Sequence, residues 1–389
     1  MVAAVRKILI FIVTVVAAVI AIVAIVLFTT TTENADVRTL LAQVPASADA
    51  FVIVPKAAAF DAKLRINPIT RARMETVRDL PRTWMLGNAA VVAWKSGDQP
   101  HYLVRADLVR AFLIRSLGSN VFINGTGEPS LDSASVTQIL DLASRLPAAD
   151  AIVVQRESAR GAYPPIARPA VTAIVITPTD INLTSVGRAL ARPAAPPSGA
   201  VPHSFPRGAI LSAAFTEPPR IVADLNRLFG AKVSSLFDQG GAICVYDVDT
   251  RKLLPRPLAV IVLPKDPQRR AIVDSFRQAE AIGIRVRIAE IGDTIALSFD
   301  DSIEQYQKDA FDPAPTASQW SVRIDAPRLV PILNNLQQNL GLRIAAPRLY
   351  RSARDLAGWL GELEQAKTIE AADSVDLQRE SLNVRISSK

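Results

Sequence analysis

Residues 174–185 read IVITPTDINLTS, residues 375–386 read VDLQRESLNVRI, and the two stretches align without a gap. Ile174 meets Val375, Ile176 meets Leu377, Ile181 meets Leu382, Asn182 meets Asn383 and Leu183 meets Val384. Each places alternating apolar residues on both sides of a short polar segment, TPTD in one and QRES in the other. That pattern predicts two β-hairpins. The first is expected at Val171–Thr177 and Asp180–Ser185, turning at Pro178 and Thr179, and the second at Val375–Gln378 and Leu382–Ile386. The word QRES also stands at Gln155–Ser158, in the different context DAIVVQRESARG. Chance supplies a repeated four-residue word on the order of once in such a chain, so the hairpins and not the word suggest a repeat.

Working outward, VPASADAFVIVPKAAAFDAKL (44–64) and FPRGAILSAAFTEPPRIVADLNRLF (205–229) open alike. Each has an apolar residue and Pro, a β-rich run, a Pro-marked break and then a helical pattern. The openings are 161 residues apart and the hairpins 201, so the second half needs about 40 more residues. The helical region Leu329–Ile369 is their natural place. Strands are also expected at Ala50–Val54, Asn88–Trp94, His101–Arg105, Ala151–Gln155, in GGAICVYDV and PLAVIVLP, and at Trp320–Ile324. A further hairpin is expected at Gly292–Asp293. Helices are expected at Lys56–Leu64, Leu108–Leu117, Ser135–Leu146, Ile221–Phe229 and Arg269–Ala281. Two more follow, with faces Leu329, Ile332, Leu333, Leu336 and Leu340, then Leu356, Trp359, Leu360 and Leu363. The fold class expected is α+β, an N-terminal transmembrane helix followed by mainly antiparallel sheets with packed helices. The halves read as two degenerate repeats, with two unrelated α+β halves as the alternative.

The transmembrane expectation rests on Ile8–Phe28, 21 residues without a charge. At about 1.5 Å per residue such a helix spans a hydrocarbon core of roughly 30 Å. The run is longer than a cleavable signal's apolar region and lacks an A-x-A site. Arg6 and Lys7 precede it, whereas Glu33 and Asp36 follow, which places the N-terminus in the cytoplasm and the rest outside. The domains expected are a cytoplasmic stub (1–7), a signal anchor (8–28), a stalk (29–43), a first α+β half (44–190), a Pro-rich linker (191–208) and a second half (209–389). The partner expected for Ile8 to Phe28 is the lipid bilayer, and the location is the inner membrane with a periplasmic domain.

Composition narrows the function classes. The chain of 389 residues is 49% hydrophobic and carries a net charge of +7, of which Arg6 and Lys7 belong to the N-terminal flank. Without a clustered basic run this argues against nucleic-acid binding. The single cysteine, Cys244, cannot form an internal disulfide, and its apolar setting reads as a small core residue. No nucleophile-elbow, zincin, P-loop or EF-hand motif is present, and NGTGEPS (124–130) reads as a loop. His101 alternates within a strand and His203 lies between prolines, so neither is placed for catalysis. Four acids remain as nominees for acid–base or metal chemistry. Asp247 and Asp249 would share a strand face, and Asp300 and Asp301 follow a strand, where a turn or helix cap at Asp301–Glu304 is the simpler reading. The Asn124 and Asn182 glycosylation patterns are short enough to arise by chance.

The openings at 44–54 and 205–215, with IVLPKDPQRRAIVDSF and GDTIALSFDDSIEQY between them and the C-terminus, resemble bacterial membrane-anchored envelope proteins grouped as a domain of unknown function. The second opening lacks the acidic residue of that family's pattern, and the resemblance brings no catalytic, cofactor or metal residues. The function expected is a non-enzymatic envelope protein binding a protein or lipid partner. A hydrolase built on the four acids is the alternative, and a lipid carrier would need a continuous apolar cavity.

Overall fold

The computed structural model describes residues 37–74, 89–96, 99–104, 121–123, 127, 129–156, 169–188, 204–216, 240–252, 255–265, 286–314, 320–345, 347–361, 363, 365–375 and 379–389. Ile8–Phe28 and the helices expected at Leu108–Leu117, Ile221–Phe229 and Arg269–Ala281 lie outside these residues, as does His203. Among the described residues no helix is long and apolar enough to cross a membrane. The expected transmembrane helix, with its signal-anchor and single-pass assignments, therefore finds no support in the described structure. The balance of the fold class is corrected too. What is described is mostly antiparallel sheet with few helices, because segments that read as separate hairpins are joined through long-range pairings.

The elements, in chain order, fall into two compact units. The first contains α1 (Val37–Leu41), β1 (Ala50–Val54) and α2 (Ala57–Ile66). The next helix, α3 (Pro68–Met74), belongs to the second unit. The first unit resumes with β2 (Val91–Ser96), β3 (Gln99–Val104), β4 (Val121–Ile123), α4 (Ser133–Ala143), β5 (Ala151–Gln155) and β6 (Ala170–Ile176). Its strand order is β6-β5-β1-β2-β3-β4, antiparallel except for β3 and β4. In β1 the alternation AFVIV buries Phe51 and Ile53, the period-two signature of a strand with one face on a core. Helix α4 starts where the Asp132 carboxylate accepts the Ser135 N–H at 2.6 Å, and it buries Val136, Ile139 and Leu142.

The second unit holds β7 (Asp180–Arg188), β8 (Ser204–Pro206), β9 (Leu211–Phe215), β10 (Gly241–Asp249), β11 (Arg256–Pro264), β12 (Arg287–Ile291) and β13 (Thr294–Ser298). It continues with α5 (Ser302–Lys308), β14 (Phe311–Pro313), β15 (Trp320–Asp325), α6 (Ala326–Gln337), α7 (Leu340–Ala345), α8 (Pro347–Gly361), β16 (Ala366–Val375) and β17 (Arg379–Ser388). The strand order is β12-β13-β11-β10-β9-β15-β16-β17-β7, and β8 pairs separately with β14. Phe205 of β8, inside the Pro-rich stretch, is fully buried with Tyr246, Tyr306, Val260 and Cys244. The C-terminal hairpin differs from expectation. Its first described arm, β16, starts at Ala366, earlier than the expected Val375–Gln378, of which residues 376–378 lie outside the described residues, and Arg379–Ser381 of QRES lie in β17. Leu340 is 68% exposed because α6 ends at Gln337 and a new helix starts at Leu340.

The wiring of the first strands recurs in the later ones. β1 pairs with β2 and β5, β2 with β3, and β5 with β6, which turns into β7. Likewise β9 pairs with β10 and β15, β10 with β11, and β15 with β16, which leads into β17. Helices α6 to α8 stand between β15 and β16, the interval that corresponds to residues 156–169 between β5 and β6. Helix α6 packs on β15, β16 and α8, burying Leu329 and Leu333, while α8 buries Ala357 and Leu360. Buried Asn67, ahead of α3, donates to the Thr177 and Asp180 carbonyls and accepts the Ile69 N–H, which fixes the turn entering β7.

Two glycines separate backbone strain from close approach. Gly240 has φ +84°, and a Cβ there would stand 2.5 Å from the Phe215 carbonyl oxygen, where β10 enters beside β9. Gly292 has φ +56° with no atom within 4 Å of such a Cβ. Gly292→Ala is expected to cost about 1 kcal/mol for the left-handed backbone alone, whereas Gly240→Ala should cost more than about 2 kcal/mol. Urea unfolding of both variants checks this, and equal losses would show that the Phe215 contact is not tight.

Candidate functional site

A cavity of about 400 Å³ lies open on the second unit where β16, β17 and β7 run side by side. The pairing register decides which side chains share its floor. Asn182 lies opposite Arg385 and Thr184 opposite Asn383, while across the next ladder Asn383 faces Ala372 and Arg385 faces Glu370. Directly opposed residues put their side chains on one sheet face, so these six form a two-by-three array. Ala372 is small and buried, which leaves depth, and Pro313 and Ala314 at the end of β14 form a rim. Leu183 and Val384, aligned with each other in the sequence, are direct partners in the ladder. The matched hairpins thus meet through equivalent residues, and Asn182 and Asn383 flank that point.

The floor sits in a row of alternating charges. The Arg385 Nε donates to Asp180 at 3.2 Å, and Arg385 is the cross-strand partner of Glu370. Glu370 lies 3.6 Å from the Arg323 Nε, and Arg323 and Arg207 both donate to Asp312, at 2.8 and 2.7 Å. Three carboxylates thus alternate with three guanidiniums, and no single sign dominates. The Ser387 hydroxyl, donating at 2.7 Å, holds the Asp180 carboxyl below the usual carboxylate range, helped by Arg385 and Thr179 and opposed by partial burial. Arg323 first and Arg207 second do the same for Asp312. Among the described residues the side chains of Asn182, Thr184 and Asn383 make no hydrogen bond, and Arg385 bonds only through Nε. The cavity therefore offers amide, hydroxyl and guanidinium groups to an occupant.

The four acids nominated from the sequence are each held locally. The Asp247 Oδ1 accepts from Val248 N and the Asp249 Oδ1 from Arg251 N, both in the bulge and turn at the end of β10. Asp300 accepts from the Ser302 and Ala259 N–H groups and the Ser298 hydroxyl, so it rather than Asp301 caps the start of α5. Asp301 pairs with Arg287, which also holds Glu304. Among the described residues no group of three or more His, Cys, Asp or Glu could hold a metal ion. Burial pushes the Cys244 thiol up to about 12, so it is not a thiolate near neutrality. His101 belongs to the first unit, where its ring lies 5.6 Å from Trp94 and 5.9 Å from Phe122, an aromatic contact on β2 to β4.

Glu370, Arg385 and Thr184 were not singled out by sequence reasoning. The one available signal was the coincidence of Asn182 with Asn383 in the aligned hairpins. No family model, curated protein or solved structure matches this chain.

Because the Asp180 carboxyl is depressed in the folded chain, its stabilising effect is present above the unfolded value near 3.9 and is lost as pH falls through the folded value. Asp180→Asn should therefore flatten the fall in stability below about pH 4 while leaving the neutral-to-alkaline profile parallel to that of the parent. Denaturant midpoints measured across pH 2 to 7 check it, and parallel acid limbs would refute the role of Asp180.

Proposed function

We propose that the protein is an extracytoplasmic binding protein that receives an extended polypeptide segment of an envelope partner in the cavity over β16, β17 and β7. The observation that carries this reading is the convergence of Asn182, Thr184, Asn383 and Arg385, with hydrogen-bonding capacity unused among the described residues, on one open floor. Three strands spaced about 4.8 Å apart offer a floor roughly 10 Å wide, enough for an extended chain. The lining is mixed, with Leu183, Val384, Ala372, Pro313 and Ala314 beside the polar groups, and an acyl chain would strand the Asn182, Thr184, Asn383 and Arg385 donors against hydrocarbon where peptide groups would pair with them. The helix layer that a lipid carrier would hollow out buries Leu329, Leu333 and Leu360 instead. The local bonding of Asp247, Asp249, Asp300 and Asp301 weighs against the hydrolase alternative. The resemblance of the 44–54 and 205–215 openings to envelope proteins supports the location.

Two measurements test the reading. A photocrosslinking amino acid at Thr184 should give partner adducts in cells, whereas one at exposed Gln138 on α4 should not, and Asn383→Trp should remove the adducts by filling the cavity. Adducts from both positions, or adducts indifferent to Asn383→Trp, would overturn the assignment of the site. A reporter that is active only outside the cytoplasm, fused after Lys389, should be active, and silence would overturn the location.

A further inference from the structure

Given the polypeptide reading above, on which this step rests, we infer that the bound segment carries one acidic and one basic side chain on the same face. The acidic group lies on the terminal nitrogens of Arg385 and the basic group on Glu370. Asp180 grips Arg385 at Nε alone, so the two Nη atoms present the fork that matches a carboxylate. Arg385 is 57% exposed on the open side of the cavity. Glu370 is a direct cross-strand neighbour, and among the described residues its ion pair, to the Arg323 Nε at 3.6 Å, is too long for a hydrogen bond. Its oxygens therefore keep acceptor capacity.

The surrounding charges select for the pair. A lone anion on Arg385 would face Glu370 and Asp180, and a lone cation on Glu370 would face Arg385 and Arg323. A ligand with both signs compensates each field and leaves no unpaired charge in the cavity. Directly opposed residues on neighbouring strands have Cβ atoms about 5 Å apart, a gap that long side chains at positions i and i+2 of an extended ligand can bridge. Asn182 and Asn383 are then placed to bond the ligand's backbone.

Fluorescein-labelled peptides titrated into the full chain, read by anisotropy, test this. The peptide (Glu-Ser-Lys-Ser)3 has both charges on one face, and (Glu-Lys-Ser-Ser)3 has the same composition with neighbouring charges on opposite faces. The first should bind at least about tenfold more tightly than the second, and than the all-Glu and all-Lys peptides of the same spacing. Glu370→Gln and Arg385→Lys should each erase most of that preference, the latter keeping the charge near Asp180 and hence the fold. Equal or tighter binding of the all-Glu peptide, unaffected by Glu370→Gln, would reduce the site to an anion site and overturn the inference. Absence of any charge preference while Thr184 adducts persist would overturn it and leave the polypeptide reading standing. Loss of those adducts as well would remove both.

Discussion

The hydrogen-bonded ladder between β7 and β17 is the constraint on which the second unit and its cavity depend. It joins residues 180–188 to residues 379–387 in a register that sets Leu183 against Val384. Because side chains alternate with a period of two, a slip of one residue would send Asn182, Thr184, Asn383 and Arg385 to the opposite face. Apolar Ile181 and Ile386, directly opposed and both buried, resist that slip, since it would expose them. The polar floor is thus held in place by the hydrophobic pattern beneath it.

The charge row adds direction to this frame. Side chains from β7, β17, β16, β15 and β14, with Arg207 just after β8, take part, so the interaction runs across the strands. Exposed pairs of this kind add about 0–1 kcal/mol each, too little to decide the fold. Their stronger effect is to order the side chains: Asp180, fixed by Ser387 and Thr179, fixes Arg385 in turn. An arginine so tethered loses less freedom on binding a ligand.

Local patterns in the sequence were legible where one segment carries its own signal. The alternation in Ala50–Val54 and the Gly292–Asp293 turn correspond to β1 and the β12–β13 hairpin. Pairings such as β1 with β5 and β9 with β15 join strands about a hundred residues apart, and nothing in either strand's alternation names its partner. That is why the separate sheets expected from local hairpins merge into longer ladders. It also explains the site. Asn182 and Asn383 stood out because two hairpins resemble each other, but Glu370 and Arg385 become neighbours only through the β16–β17 register. The acids that did attract notice, Asp247 and Asp300, are turn and cap residues, the use for which Asp is most often placed after a strand.

The separation of β7 from β17 also bears on synthesis. β7 leaves the ribosome roughly 190 residues before the strand that covers its edge, which at about 5–20 residues per second is a wait of roughly 10–40 seconds. For that interval a nine-residue strand presents unpaired backbone groups, a template for pairing with another nascent chain. Birth of the protein thus includes a vulnerable period whose length is set by topology, during which a holding chaperone would have an open strand edge to protect.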